Sequence, residues 1–188
     1  MAQRVCPWWM GYFLVSPVRR LESGSPEKLL APYVKEGMTV LEPGPGMGFF
    51  TLPMARMVGP WGRIVVADIQ PKMLEGLRRR AAKAGLLRNI QIRLVKPDSL
   101  GLDDLIASVD FVMAFAVVHE LPSTERFFRE SAKALKVGGK MLLAEPAGHV
   151  TPAEFAEEID AARRCGLTEE ERPAVRRSLA AVLVKKAG

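Results

Sequence analysis

The chain of 188 residues is sparing with the residues that build covalent or metal frameworks, holding two cysteines and two histidines. Cys6 and Cys165 lie far apart in a chain long enough to bury a core without stapling, which excludes a disulfide framework and fits a reducing compartment. A zinc site built from Cys6, Cys165, His119 and His149 has no ligand-pair spacing behind it, so no metal is expected. Long hydrophobic runs are missing too. WWMGYFLV, residues 8 to 15, is roughly half of what a membrane span needs and is followed by no small-residue cleavage pattern, so the reading is cytoplasmic with no membrane span. Linkers, internal repeats and low-complexity segments are likewise absent, and residues 1–188 read as a single domain with 1–37 as an N-terminal cap. The net charge of +6 is scattered over short basic groups such as Arg78 to Arg80 rather than gathered in a patch, which makes solvated faces the better reading and nucleic acid an unexpected partner.

What is present is an alternation. From Met38 onward, short apolar runs rich in β-branched residues alternate with helical patterns, the mark of a doubly wound α/β sheet. Strands are expected at 39–42, 63–68, 90–95, 109–115 and 140–145, all largely apolar as strands covered on both faces should be. A helix over 71–84 opens on Pro71 and stops at Gly85; another, capped by Ser123, runs over 124–136; a third spans 152–164 before Gly166. The tail holds two extended segments, LTEEER and SLAAVLVKK, joined too closely for a helix, so they should be antiparallel. The acid-rich first suits a sheet edge and the apolar second an interior position. The expected fold is therefore Rossmann-like: a seven-stranded, mostly parallel sheet with a reversed C-terminal strand, preceded by two short helices that each begin with Ser-Pro. Ahead of them, Trp8, Trp9, Tyr12 and Phe13 form either a hydrophobic flap or a lid over a ligand pocket.

The stretch VLEPGPGMGFF, residues 40 to 50, carries the chemistry. Gly44, Gly46 and Gly48 follow a strand and open a helix, the setting in which a glycine-rich turn binds a ligand at the carboxyl end of the strands. A dinucleotide fits poorly. Its pattern needs a glycine where Phe49 stands, and Glu42 would repel a diphosphate while attracting an amine. A nucleotide P-loop is excluded because no Gly-Lys-Ser/Thr follows. Asp68 ends the second strand, 20 residues after Gly48, where its carboxylate can grip both ribose hydroxyls. Asp98 can accept from an adenine amino group, with Ile69 and Met73 or Leu100 as apolar walls. An amino acid, a ribose and an adenine without phosphate describe S-adenosylmethionine.

VLEPGPGMG resembles the glycine motif of the class I S-adenosylmethionine-dependent methyltransferases, and VVADIQPKML resembles their acidic second-strand motif. LKVGGKMLLAEP is similar to the segment around their fifth strand, and the tail to their closing reversed hairpin. The resemblance runs from about Pro26 to the C-terminus and is nearest to small-molecule enzymes such as the quinone-biosynthesis C-methyltransferases. It implies S-adenosylmethionine as cofactor, leaving S-adenosylhomocysteine as product. Glu42, Gly44, Pro45, Gly46, Met47 and Gly48 would face its methionyl end, Asp68 the ribose, and Asp98 with Ser99 the adenine between the apolar walls of Ile69 and Met73, while Phe115 and Ala116, where the loop after the fourth strand begins, would lie nearest the transferring methyl. Pro97 departs from the family, which commonly has glycine there, and fixes the backbone before Asp98.

Methyl transfer from a sulfonium needs alignment and, for some acceptors, a base. His119, in AFAVVHELP, is the nearby side chain whose ordinary pKa suits a base at neutral pH; its alternative is a partner of Glu120 without chemistry. His149, beyond Ala144-Glu145-Pro146, borders the acceptor side. The acceptor is expected to be a small molecule, in a monomer or a homodimer. An RNA methyltransferase and a non-catalytic protein that holds the cofactor remain as alternatives.

Overall fold

The computed structural model describes Pro7 and residues 25–187. Trp8, Trp9, Tyr12, Phe13, Cys6 and the first expected N-terminal helix lie outside the described residues. The elements run in the order α1 (Pro26–Leu30), β1 (Thr39–Pro43), α2 (Thr51–Met57), β2 (Arg63–Asp68), α3 (Pro71–Lys83), β3 (Ile90–Leu94), β4 (Val109–Phe115), α4 (Thr124–Ala134), β5 (Leu135–Pro146), α5 (Pro152–Arg164), β6 (Leu167–Glu171) and β7 (Ser178–Lys185). The seven strands form one sheet in the order β3-β2-β1-β4-β5-β7-β6. Strands β1 to β5 are parallel to one another, and β7 runs against both of its neighbours, β5 and β6.

Side chains leave each strand on alternate faces, and that period of two sorts the core into two layers. Val40, Ile64, Val66, Phe111, Met113 and Leu142 pack under α1, α2 and α3. Their neighbours in sequence, Leu41, Val65, Val112, Ala114, Met141 and Leu143, pack under α4 and α5. Both faces are covered, which is why the central strands read as unbroken apolar runs.

Helix ends follow the local chemistry. The Ser123 side chain accepts from the Arg126 amide at the start of α4, and Thr151 with Glu154 forms a reciprocal capping box at α5. Gly85 and Gly166, with φ of 69° and 84°, follow the ends of α3 and α5. Ser25 does not cap α1; its hydroxyl donates instead to Glu27, 2.6 Å away.

Several boundaries differ from the sequence expectation, among them the end of α4, which stops at Ala134 rather than at 136. Strand β5 begins at Leu135 rather than Lys140, because buried Leu135 pairs with Val109 before the register shifts and Lys140 pairs with Phe111. The chain must loop between those pairs, and Gly139 is wedged where a Cβ would stand 2.9 Å from the Lys136 carbonyl oxygen. Helix α2 begins at Thr51, two residues beyond the last turn glycine and its following Phe49, so the glycine turn is a separate element in front of the helix. The tail matches its reading: β6 lies at the edge and β7 between β5 and β6.

Candidate active site

The strand order reverses direction at β1, whose neighbours are β2 and β4, and a crevice opens there beyond the carboxyl ends of the strands. Glu42, Gly46, Asp68, Phe115, His119 and His149 all line this cleft, although they come from four different strand-to-helix connections. Its two halves are built differently.

The half above β1 and β2 rests on the glycine turn. Gly44 and Gly46 adopt φ of 64° and 54°, the left-handed region that side chains disfavour. At Gly46 nothing stands within 4 Å of where a Cβ would be, so bare backbone faces open space. Gly48 is required for another reason, since a Cβ there would stand 2.4 Å from Leu77 of α3. Met47 is 2% exposed and packs against Gly76, while its carbonyl accepts from the Arg80 guanidinium. Its contribution to the turn is anchorage to α3.

Two carboxylates flank this turn. Glu42 is 4% exposed and accepts from the Thr51 hydroxyl, which ties the end of β1 to the start of α2. Asp68, 8% exposed at the end of β2, accepts from the Gln70 amide at 2.8 Å. Burial pushes the Asp68 carboxyl up to about 6, with Glu120 adding to the rise, while amides of Gln70, Ile69 and Gly46 oppose it. Asp68 is thus a buried acceptor wired to the turn itself.

Ile69 and Met73 line the same half. Asp98 and Ser99 lie at its mouth, and Asp98 is the more open of the two acids, with its side chain 68% exposed and 3.5 Å from Arg126. Ser99 sits in a loop pinned by Glu130, which accepts from the Leu100 amide at 2.7 Å. Arg126 and Glu130, both on α4, were not foreseen as supports of this loop.

The other half is organised by a buried carboxylate that sequence reasoning passed over. Glu145, at the end of β5, is 0% exposed and accepts from the amides of Val117 and Val118, at 3.2 and 2.8 Å, and from the Nδ1–H of His119. The chain reaches this arrangement through Ala116, held at φ 54° and tied by its amide to the Ala144 carbonyl. The partner of His119 is therefore Glu145, not Glu120. That bond is the main cause that raises the His119 pKa above its ordinary value, outweighing the opposing effect of burial. With Nδ1 engaged by Glu145, Nε2 is the ring nitrogen left for a ligand.

Beside His119 stand His149, whose ring meets it edge to face at 5.6 Å between centroids, and Glu158 of α5. Glu158 is 7% exposed, and burial pushes its carboxyl up to about 8, with the charge of Glu145 adding to the rise. Signals for both acids exist in the sequence. Glu145 closes the apolar strand MLLAE, and Glu158 occupies the inward stripe of Phe155, Ile159 and Ala162.

Among the described residues, no group of three or more His, Cys, Asp or Glu side chains is placed to hold a metal ion. No helix among them is long and apolar enough to cross a membrane.

Residues 41–143 match the model of a methyltransferase domain. Over 139 residues the chain is 30% identical to an arsenite methyltransferase of Halobacterium salinarum, covering 74% of this chain and 34% of that protein. Over 112 residues it is 30% identical to a ubiquinone/menaquinone biosynthesis C-methyltransferase of an Enterobacter species, covering 60% of this chain and 44% of that protein. The chain thus spans less than half the length of these curated relatives. A crystal structure of a SAM dependent methyltransferase from Aquifex aeolicus superposes with a TM-score of 0.82 at 24% identity, covering 96% of this chain and 100% of the other, which is a likeness of fold.

Proposed function

The chain belongs to the class I S-adenosylmethionine-dependent methyltransferases, and on that premise we propose that it moves the methyl group of S-adenosylmethionine onto a small-molecule acceptor by in-line displacement. The observation that carries this reading is the pairing of open backbone at Gly46 with the buried carboxylates of Glu42 and Asp68, which suits an amine and a ribose and would repel a diphosphate. When bound, S-adenosylmethionine supplies an electrophilic methyl group on a positively charged sulfur. Glu42 and the turn hold the amino acid end, Asp68 the ribose hydroxyls, Ile69 and Met73 the apolar faces, and Asp98 with Ser99 the adenine at the mouth. Phe115 and Ala116 border the sulfur side, where the strained turn at Ala116 passes the chain toward His119.

His119 acts as the general base. Glu145 accepts its Nδ1–H and so presents Nε2, and it stabilises the imidazolium that forms when the acceptor gives up its proton. The remaining contribution is alignment in a site walled by Phe115 and Leu121, worth several kcal/mol, on the order of 7 to 11 in favourable cases. A small acceptor is favoured over RNA because carboxylates outnumber basic side chains around the cleft, which disfavours a phosphate backbone, and because the names of both curated relatives point to small molecules. A single domain acting in the cytoplasm belongs to the same proposal.

Incubation of the protein with methyl-labelled S-adenosylmethionine and fractionated metabolite extract, with cellular RNA as a parallel arm, tests it. Label in a small-molecule fraction is the expected result. Label in RNA alone refutes the acceptor class, and cofactor binding without label in either arm favours a non-catalytic binding protein.

A further inference from the structure

Glu158 does nothing for the fold that a leucine would not do better. It lies on the inward stripe of α5 at 7% exposure, among Phe155, Ile159 and Ala162, and its Oε2 is buried with no hydrogen-bond partner among the described residues. Unpaired polar atoms in such places weaken a protein, so their retention points to a ligand. Glu158 also lines the cleft, on the same side as His119 and His149.

The charges around it settle its state. No ion pair to Glu158 exists among the described residues, Glu145 and Glu154 repel its ionised form, and His119 opposes them only in part. A carboxyl so placed is kept as the neutral acid near pH 7 and can donate a hydrogen bond. A neutral acid in an apolar wall does not hold an ammonium group, but it does hold an oxygen on which negative charge develops.

Building on the methyl-transfer reading, we propose that Glu158 and His119 together form an oxyanion-type acceptor site, with Glu158 donating to the acceptor's oxygen, so that the acceptor is a phenol or an enolisable carbonyl compound. His119 takes the acceptor's proton. The electron pair so released forms the bond to the methyl carbon, and the carbon–sulfur pair leaves with the sulfur, which becomes a neutral thioether. Glu158 keeps its proton throughout and is a specificity residue, whereas Glu145 is a positioning residue that acts through His119.

The probe is 4-nitrophenol, whose absorbance reports its ionisation, titrated into the wild-type protein saturated with S-adenosylhomocysteine. The bound probe is expected to show the phenolate spectrum at a pH where the free probe is mainly protonated. Glu158→Gln, which still carries a donor, should bind it within about threefold of wild type, and Glu158→Leu about tenfold or more weakly. Both variants should keep wild-type affinity for S-adenosylhomocysteine, and Glu158→Leu should melt higher than wild type, which shows that the loss is not misfolding. A probe that fails to bind, binds as the neutral phenol, or binds Glu158→Leu as well as wild type overturns the proposal while leaving the cofactor reading intact. Failure of S-adenosylhomocysteine to bind wild type overturns the cofactor reading and this inference with it.

Discussion

The two halves of the cleft are built on opposite plans. The half over β1 and β2 draws its groups from Glu42 to Met73, so that a strand end, a turn and the next strand end carry nearly everything. The half over β4 and β5 gathers His119, Glu145, His149 and Glu158 from two strand ends and a helix, and its central bond joins residues 26 apart in sequence. Local construction lets a motif stand nearly independently of the rest of the fold. Distributed construction makes the site and the fold share the same bonds. Variants of the first half should therefore change binding with little change in stability, whereas removing the Glu145 carboxylate at the centre of the second should cost the fold itself.

The largest effect is expected at Asp68. Asp68→Ala removes the buried acceptor at the end of β2 and should weaken S-adenosylhomocysteine binding by on the order of a hundredfold in calorimetry. Its melting temperature should not fall, since burial already works against the ionised carboxyl. A large loss of stability would break the contrast between the halves.

Glu145→Ala should do the opposite. It leaves the Val117 and Val118 amides and the His119 ring without their acceptor and should lower unfolding stability by about 3 kcal/mol in denaturant titration. By nuclear magnetic resonance, the His119 pKa should drop once Glu145 is gone, because that carboxylate is the main cause of its rise. Because the folded pKa is raised, the stabilising contribution of His119 is complete below its ordinary value and is lost as pH rises through the folded one. The pH dependence of stability above pH 6.5 should flatten in the variant.

A pH titration sharpens the first half. Asp68 titrates at about 6 in the folded protein against an ordinary value of 3.8, so between these values the folded carboxyl is protonated while the unfolded one is ionised. On the proposed reading, the ribose hydroxyls donate to Asp68 and need its ionised form. Affinity for S-adenosylhomocysteine should thus be flat above that pH and fall about tenfold per unit well below it, and Asp68→Asn should lose the dependence. Over the same window the fold itself gains stability from Asp68 as pH falls.

The smallest effect is at the junction between the halves. Ala116→Gly relieves a left-handed backbone at φ 54° and should stabilise the protein by less than about 1 kcal/mol, measured by thermal unfolding.

The same contrast explains what could be read from the chain alone. The strand core, the edge position of β6 and the reversed β7 were visible as apolar runs, an acid-rich segment and a connection too short for a helix. The glycine turn and Asp68 were visible because their spacing is local. Glu145 and Glu158 were not, since an acid closing a strand and an acid on a helical stripe gain meaning only when tertiary packing brings both near His119. The start of β5 was missed for a similar reason: Leu135 is a strand residue through its pairing with Val109 across a register shift, which no local pattern announces.

The account rests on a carboxylate-flanked turn that selects an amino acid and a ribose over a diphosphate. Calorimetric titration of the wild-type protein with S-adenosylhomocysteine and with NAD, side by side, tests it most directly. The account predicts saturable binding of S-adenosylhomocysteine, weakened by on the order of a hundredfold in Asp68→Ala, and no binding of NAD. Tight binding of NAD with none of S-adenosylhomocysteine would contradict it.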